Sequence, residues 1–251
     1  MAKVHVAKQP PKPRVIISRF KAADGTVVTL ARFAGAVRYR LHSGSVDPGS
    51  AALSVVHAGP RIGSGERRQL LTAFNGGFLL SAGDGGYEQE GHVISPLRRG
   101  RASLVIDRSG TARIGAWGSA LARLNEAVFS VRQNLQLLVK QGHAARAAAD
   151  WTAWGATLGG GECVARSAAR RERGWRHLRC RHVDYPSGPG GCARSLRRAH
   201  CRGTRHQSRM DPAGRRPESR ARPSCAIPGQ VRPADQYLIG WTRDFITVLA
   251  A

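Results

Sequence analysis

No run of apolar residues is long enough to cross a membrane as a helix, so no transmembrane segment is expected. Lysine is scarce: the chain has five, and none lies between residues 163 and 225. Cysteine is missing from everything except that same stretch, which holds Cys163, Cys180, Cys192, Cys201 and Cys225. An odd count confined to one segment argues against a disulfide framework. The start of the chain, Met1 to Pro13, is basic and proline-rich and lacks the apolar stretch of a signal peptide. That points to a cytosolic chain, or to an exported one whose true start lies elsewhere, and localisation stays open on these grounds.

What is plentiful is arginine, and it is unevenly spread. The formal net charge is +24, the kind of excess that neutralises phosphates and releases counterions from nucleic acid. Residues 163–225 hold 17 arginines against 4 acids, a net +13 in 63 residues, which leaves +11 for the other 188. These arginine runs lack interleaved aromatics and lysines, an imprecise fit to nucleic-acid recognition. Cys180, His182, Cys192, His200 and Cys201 invite a zinc reading, but no two pairs form the short knuckles that such sites use. Neither a metal nor a cofactor is expected.

Outside the arginine-rich middle the text is that of a sheet protein. Val15–Ile17, Val27–Leu30 and Val37–Leu41 are β-branched or alternating runs, separated by turn-formers such as Asp24-Gly25 and Asp47-Pro48-Gly49. Leu70–Phe74 is an apolar run ending in Asn75-Gly76-Gly77. Ala102–Asp107 predicts a strand, Arg108-Ser109-Gly110 a hairpin turn, and Thr111–Ile114 the returning strand. Val131–Lys140 alternates loosely and reads as a buried strand; residues 227–244 read as a loop and Phe245–Leu249 as a closing strand. From residue 166 to 222 no helical or strand period survives more than a turn or two. The expected fold is α+β, one sheet-rich domain with flanking helices. It divides into a basic segment 1–14, the first part of the domain at 15–162, an aberrant segment 163–226 that is disordered or misfolded, and a closing part at 227–251.

Few residues carry chemistry. In Phe74-Asn75-Gly76-Gly77-Phe78, two glycines after a strand let the backbone approach a ligand, and Asn75 can donate and accept; a tight turn using positive φ reads the same way. Arg132-Gln133-Asn134 sets a forked cation beside two amides, suited to phosphate or sugar hydroxyls, or to a solvated strand edge. Glu90-Gly91-His92 offers a carboxylate and an imidazole, a pairing more common on surfaces than in active sites. Arg243-Asp244 is a ligand contact or a structural ion pair.

In order, Val37–Ser45 with Asp47-Pro48-Gly49, Ala73–Phe78, Glu90-Gly91, Gly100–Ile106, Gly115–Gly118, Arg132–Leu135, Trp154-Gly155 and Tyr237–Phe245 resemble the phosphodiester glycosidase family, and its bacterial branch most. The resemblance covers about three quarters of the chain, and the Phe-Asn-Gly-Gly-Phe block is its most specific piece. It implies hydrolysis of sugar-1-phosphodiesters or envelope glycans by exported or envelope-associated proteins. Asn75, Gly76, Gly77, Arg132, Asn134, Arg243 and Asp244 would then form the binding side. It also implies a Leu-Gly-Val-type strand, a small-residue helix and an acidic Leu-Asp motif after the Trp-Gly block, and none of these is legible here.

They become legible when the codons of the middle are displaced by one nucleotide. Trp175-Arg176 (TGG followed by C or A) must then give Gly, and Met210-Asp211 (ATG followed by G) must give Trp. With free codon choice, the text from Ala169 can read Leu-Gly-Val-Asn-Ala-Gly-Gly-Asp-Ile-Tyr-Val-Ala and run on into a Thr-Pro helix start and an Ala/Leu helix. Gly203 to Met210 can read Glu-Leu-Asp-Ile-Asn-Pro-Glu-Trp. A slip between Glu162 and Ala169, compensated between Asp211 and Ile227, also accounts for the arginine, cysteine and proline of the segment. The acidic motif then stands lost near His206, and the chain is expected to be an inactive, poorly folded family member. The alternatives are an arginine-rich arm for nucleic acid or an anionic surface, and a non-catalytic glycan-binding member of the family. Resequencing codons 160 to 230 from an independent template should reveal one displaced base near each boundary. An unchanged sequence, with codon usage matching the flanks, would establish a true arginine-rich insertion instead.

Overall fold

The structure is a computed structural model, described over residues 13–21, 27–83, 85–119, 128–145, 166–171, 178–184 and 233–251. Its strands are β1 (Arg14–Lys21), β2 (Val27–Ala34), β3 (Val37–His42), β4 (Leu70–Asn75), β5 (Tyr87–Gln89), β6 (His92–Ser95), β7 (Ala102–Asp107), β8 (Ala112–Ala116) and β9 (Val128–Gln133). They continue with β10 (Val139–Lys140), β11 (His143–Ala144), β12 (Arg166–Arg171), β13 (Leu178–Asp184) and β14 (Phe245–Ala250). The helices are single turns, α1 (Ser50–Leu53), α2 (Ser64–Arg67), α3 (Leu80–Gly83) and α4 (Gln236–Ile239). The protein is therefore sheet-rich. Where flanking helices were expected, the described residues supply only these four-residue turns.

The strands form three main antiparallel sheets, ordered β1-β2-β13-β12, β3-β14-β4 and β6-β5-β9-β7-β8, with β10–β11 as a separate hairpin. The closing strand β14 lies between β3 and β4, setting Phe245 opposite both His42 and Asn75. Having a partner on each edge and both faces covered, it reads as an unbroken Phe-Ile-Thr-Val-Leu run, and all five residues are buried. One apolar cluster, Phe33, Tyr39, Leu41, Tyr87, Ile106, Ala112, Ile246 and Val248, draws on all three main sheets. A smaller one, Ile62, Tyr237 and Phe245, seals the end where α4 packs, with Tyr237 stacked on Phe245 at 4.6 Å between ring centres.

Local chemistry sets the turns. The Asp107 carboxylate accepts from the amides of Ser109 and Thr111, both at 2.9 Å, and closes the predicted β7–β8 hairpin around Gly110 at φ 80°. Glu90 and Gly91, both at positive φ (54° and 85°), form the two-residue turn between β5 and β6. Glu90 thereby turns its carboxylate away from His92 and onto the loop after α1. It accepts from the His57 amide at 2.6 Å, the His57 ring at 3.0 Å, the Ala58 amide at 3.2 Å and the Arg40 guanidinium at 3.0 Å.

Two readings of the sequence need correction. The strand read at Val131–Lys140 is β9 at Val128–Gln133, because Arg132, Gln133 and Asn134 spend their side chains on loops and end the strand. Part of the middle segment, expected to be disordered or misfolded, is described as a hairpin: β12 pairs with β13, and β13 with β2. Ladder hydrogen bonds come from the backbone, so the open edge of β2 accepts a strand whatever its side-chain pattern. The Asp24-Gly25 turn and the Trp151–Gly161 block lie outside the described residues.

Burial would push the Glu90 carboxyl up, but its amide, imidazole and guanidinium donors outweigh that and hold it at about 2. A folded pKa below the ordinary 4.5 adds stability that is complete above about 4.5 and lost as pH falls through about 2. In urea titrations the stability gap between the wild type and Glu90→Gln should therefore close as pH falls across that window. A gap that stays constant would show that Glu90 does not supply this pH dependence.

Candidate functional site

The loop after β4 continues the ladder for one more step, with the Gly76 amide donating to the Asp244 carbonyl at 3.0 Å. From there it crosses a buried ion pair. Arg132, at the end of β9, gives Nε to Asp244 Oδ2 at 2.7 Å and a terminal nitrogen to Oδ1 at 3.3 Å, with side-chain exposures of 2% and 1%. The rest of the guanidinium donates to the Gln133 carbonyl at 2.6 Å and to the Phe78 carbonyl. Burial would lower the pKa of Arg132, but the Asp244 carboxylate reverses this and holds it charged.

The two glycines are there because this pair leaves no room for a side chain. A Cβ on Gly76 would stand 1.8 Å from Asp244 Oδ2, and one on Gly77 would stand 2.5 Å from Asn134 Oδ1 and 3.0 Å from Arg132 Cζ. Asn134 Oδ1 in turn accepts the Phe78 amide at 3.1 Å. On the outer side, Arg243 donates to the Gly77 carbonyl at 2.9 Å, and Tyr237 donates its hydroxyl to Asn75 Oδ1 at 2.8 Å.

All seven residues singled out for binding, Asn75, Gly76, Gly77, Arg132, Asn134, Arg243 and Asp244, meet around this one loop. Their roles divide. Arg132, Asn134 and Asp244 are committed to protein partners and hold the loop; Asn75 and Arg243 keep hydrogen-bonding capacity on its outer side. Arg243 and Asp244 do not pair with each other: Asp244 takes Arg132, and Arg243 takes Gly77. Gln133 is likewise structural, its amide accepting from Gly86 at 2.9 Å and Arg98 at 2.8 Å.

Tyr237 and Asp47 were not singled out, although both stand in quoted stretches. Asp47 is bridged by backbone to Arg243, and its carboxylate accepts the Leu80 amide at 3.2 Å. Burial pushes the Asp47 carboxyl up, the Leu80 amide opposes this, Asp244 adds to it, and the net shift is upward. Nothing local in the sequence marks either residue, because each reaches the loop only through the pairing of β14. His206, where an acidic motif is expected, lies outside the described residues, as do Trp154-Gly155, Cys192, His200 and Cys201. No protein-family model matches the chain, and no curated protein matches it.

Leaving one buried charge without its partner costs about 3–5 kcal/mol. Asp244→Ala should lower the unfolding free energy by about that amount, and Arg132→Met combined with Asp244→Leu should recover most of it. Urea denaturation measures both; additive losses in the double variant would show that the pair is not coupled.

Proposed function

We propose that the chain is a phosphodiester glycosidase-like protein whose 74–78 loop binds a sugar-1-phosphodiester or envelope glycan, and that it does not turn that ligand over. One observation carries the reading. Three segments distant in sequence, at 75–77, 132–134 and 237–244, assemble around a single glycine loop. Asn75 is exposed, and Tyr237 occupies its carbonyl oxygen, so its amide nitrogen is left to donate to a sugar hydroxyl or acetamido oxygen.

The chemistry that would follow needs a carboxyl group as acid or base, together with donors that stabilise developing charge. The donors are supplied by the loop and Arg243. The resemblance places the acid in the displaced motif, where His206 and its neighbours stand instead. Asp47 is engaged by Leu80, and Asp244 is neutralised by Arg132.

Calorimetric titration with uridine diphosphate N-acetylglucosamine, a soluble sugar-1-diphosphate ester that stands in for a sugar-1-phosphodiester, tests both halves of the proposal. The chain should bind it at least tenfold more tightly than the Asn75→Ala variant and release no free sugar, whereas the frame-restored chain should hydrolyse it. Binding indifferent to Asn75→Ala, or turnover by the chain as written, would overturn the reading. Binding without turnover by the restored chain would leave a non-catalytic glycan receptor.

A further inference from the structure

Arg243 is the cation this loop does not use. Arg132 reaches four acceptors, two of them carboxylate oxygens, whereas Arg243 makes a single hydrogen bond, to the Gly77 carbonyl. Its Nε is buried and meets no acceptor. Asp47 is its backbone-bridged neighbour, yet the two side chains form no ion pair; the guanidinium turns to the glycine loop instead. The guanidinium holds no carboxylate in a direct ion pair and keeps further terminal N–H groups for a ligand, while the buried Nε lies out of a ligand's reach.

The register states what else faces it. Phe245 stands opposite Asn75 and the Gly76 amide donates to the Asp244 carbonyl, so the next rung on that side, two residues on from Phe245, sets Arg243 against Gly77, on the same side of the ladder as Asn75. That side therefore presents a forked cation and, one rung along, the Asn75 amide nitrogen, whose orientation Tyr237 fixes from behind. A planar guanidinium recognises tetrahedral oxyanions through paired N–H donors, and a neighbouring amide adds a third contact.

We propose that Arg243, with the Asn75 amide, forms an oxyanion subsite that holds the phosphoryl group of a phosphate ester, while Arg132 contacts no ligand. The proposal deepens the sugar-phosphodiester reading and rests on the same loop, but it is testable without sugar. Because the chain carries +24 overall, phosphate will also bind loosely elsewhere, so a control at a surface arginine is required. Arg68 is exposed and serves that purpose.

The experiment titrates inorganic phosphate into the intact chain and into Arg243→Gln, Arg243→Lys and Arg68→Gln, following the arginine Nε–H signals by 15N-edited NMR. One Nε–H signal should shift saturably in the wild type and in Arg68→Gln, and that signal should be missing from both Arg243 variants. The affinity fitted for this site from other shifting signals should fall at least tenfold in Arg243→Gln and less in Arg243→Lys, which keeps the charge without the fork. Equal affinity in Arg243→Gln, or an Arg243 signal in the wild type unmoved by phosphate, would overturn the proposal; the second readout stands even if the variants fold poorly. Phosphate binding at Arg243 with no binding of the sugar ligand would preserve this inference while removing the glycan reading. The reverse pattern would do the opposite.

Discussion

The pair between Arg132 and Asp244 ties the end of β9, in the five-stranded sheet, to the residue that launches β14, in the three-stranded sheet. Both side chains are almost wholly buried, so neither charge is tolerable without the other. Much of the local backbone follows from that. The loop after β4 must pass close enough for Gly76 to reach the Asp244 carbonyl and for the Phe78 carbonyl to reach Arg132. At that approach a side chain at residue 76 would overlap the carboxylate, and one at residue 77 would overlap Asn134. The Asn-Gly-Gly sequence is thus a packing requirement of the ion pair. Its positive-φ reading does not apply, since neither glycine adopts positive φ.

That outcome separates what was legible from what was not. Strands whose pattern is local fall where alternation or an apolar run places them: β3, β4, the β7–β8 hairpin and β14 lie near the expected limits, whereas β1 and β2 each run four residues beyond theirs, to Lys21 and Ala34. The short β5–β6 hairpin was missed because Tyr87-Glu88-Gln89 carries no period, and Gln89 is buried through hydrogen bonds to Ser43, Tyr87 and Ala58. The site residues were recognisable as types that bind ligands, yet their division of labour was not. Whether Arg132 faces solvent or a carboxylate depends on where β14 inserts, more than a hundred residues later in the chain. His42, at the end of β3, is likewise buried, between the Gly59 carbonyl and the Glu66 carboxylate.

The arginine-rich middle shows how little sequence a ladder demands. The register sets Arg179 opposite both Arg32 and Arg170 in the backbone ladder. With free codon choice, the displaced frame can read Leu-Gly-Val and Asp-Ile-Tyr-Val around an Asn-Ala-Gly-Gly turn over the same stretch. Those runs overlap the positions of β12 and β13, so one edge of β2 accommodates either text.

Two arginines meet one loop, and the contrast between them bears on what the surviving part of the site can do. Arg132 reaches both oxygens of a buried carboxylate, and an incoming anion would have to break that pair before it could bind there. Arg243 spends one N–H on a neutral carbonyl, so a tetrahedral oxyanion would gain a charged donor without displacing any carboxylate. The fixed pair supports this arrangement: by locking Asp244 it sets the position of Arg243, the preceding residue, and by holding Phe78 it sets the Gly77 carbonyl that steadies the free guanidinium. Preorganisation of this kind lowers the ordering cost that a ligand must overcome on binding. It rests on residues 75–78, 132–134 and 237–244 alone.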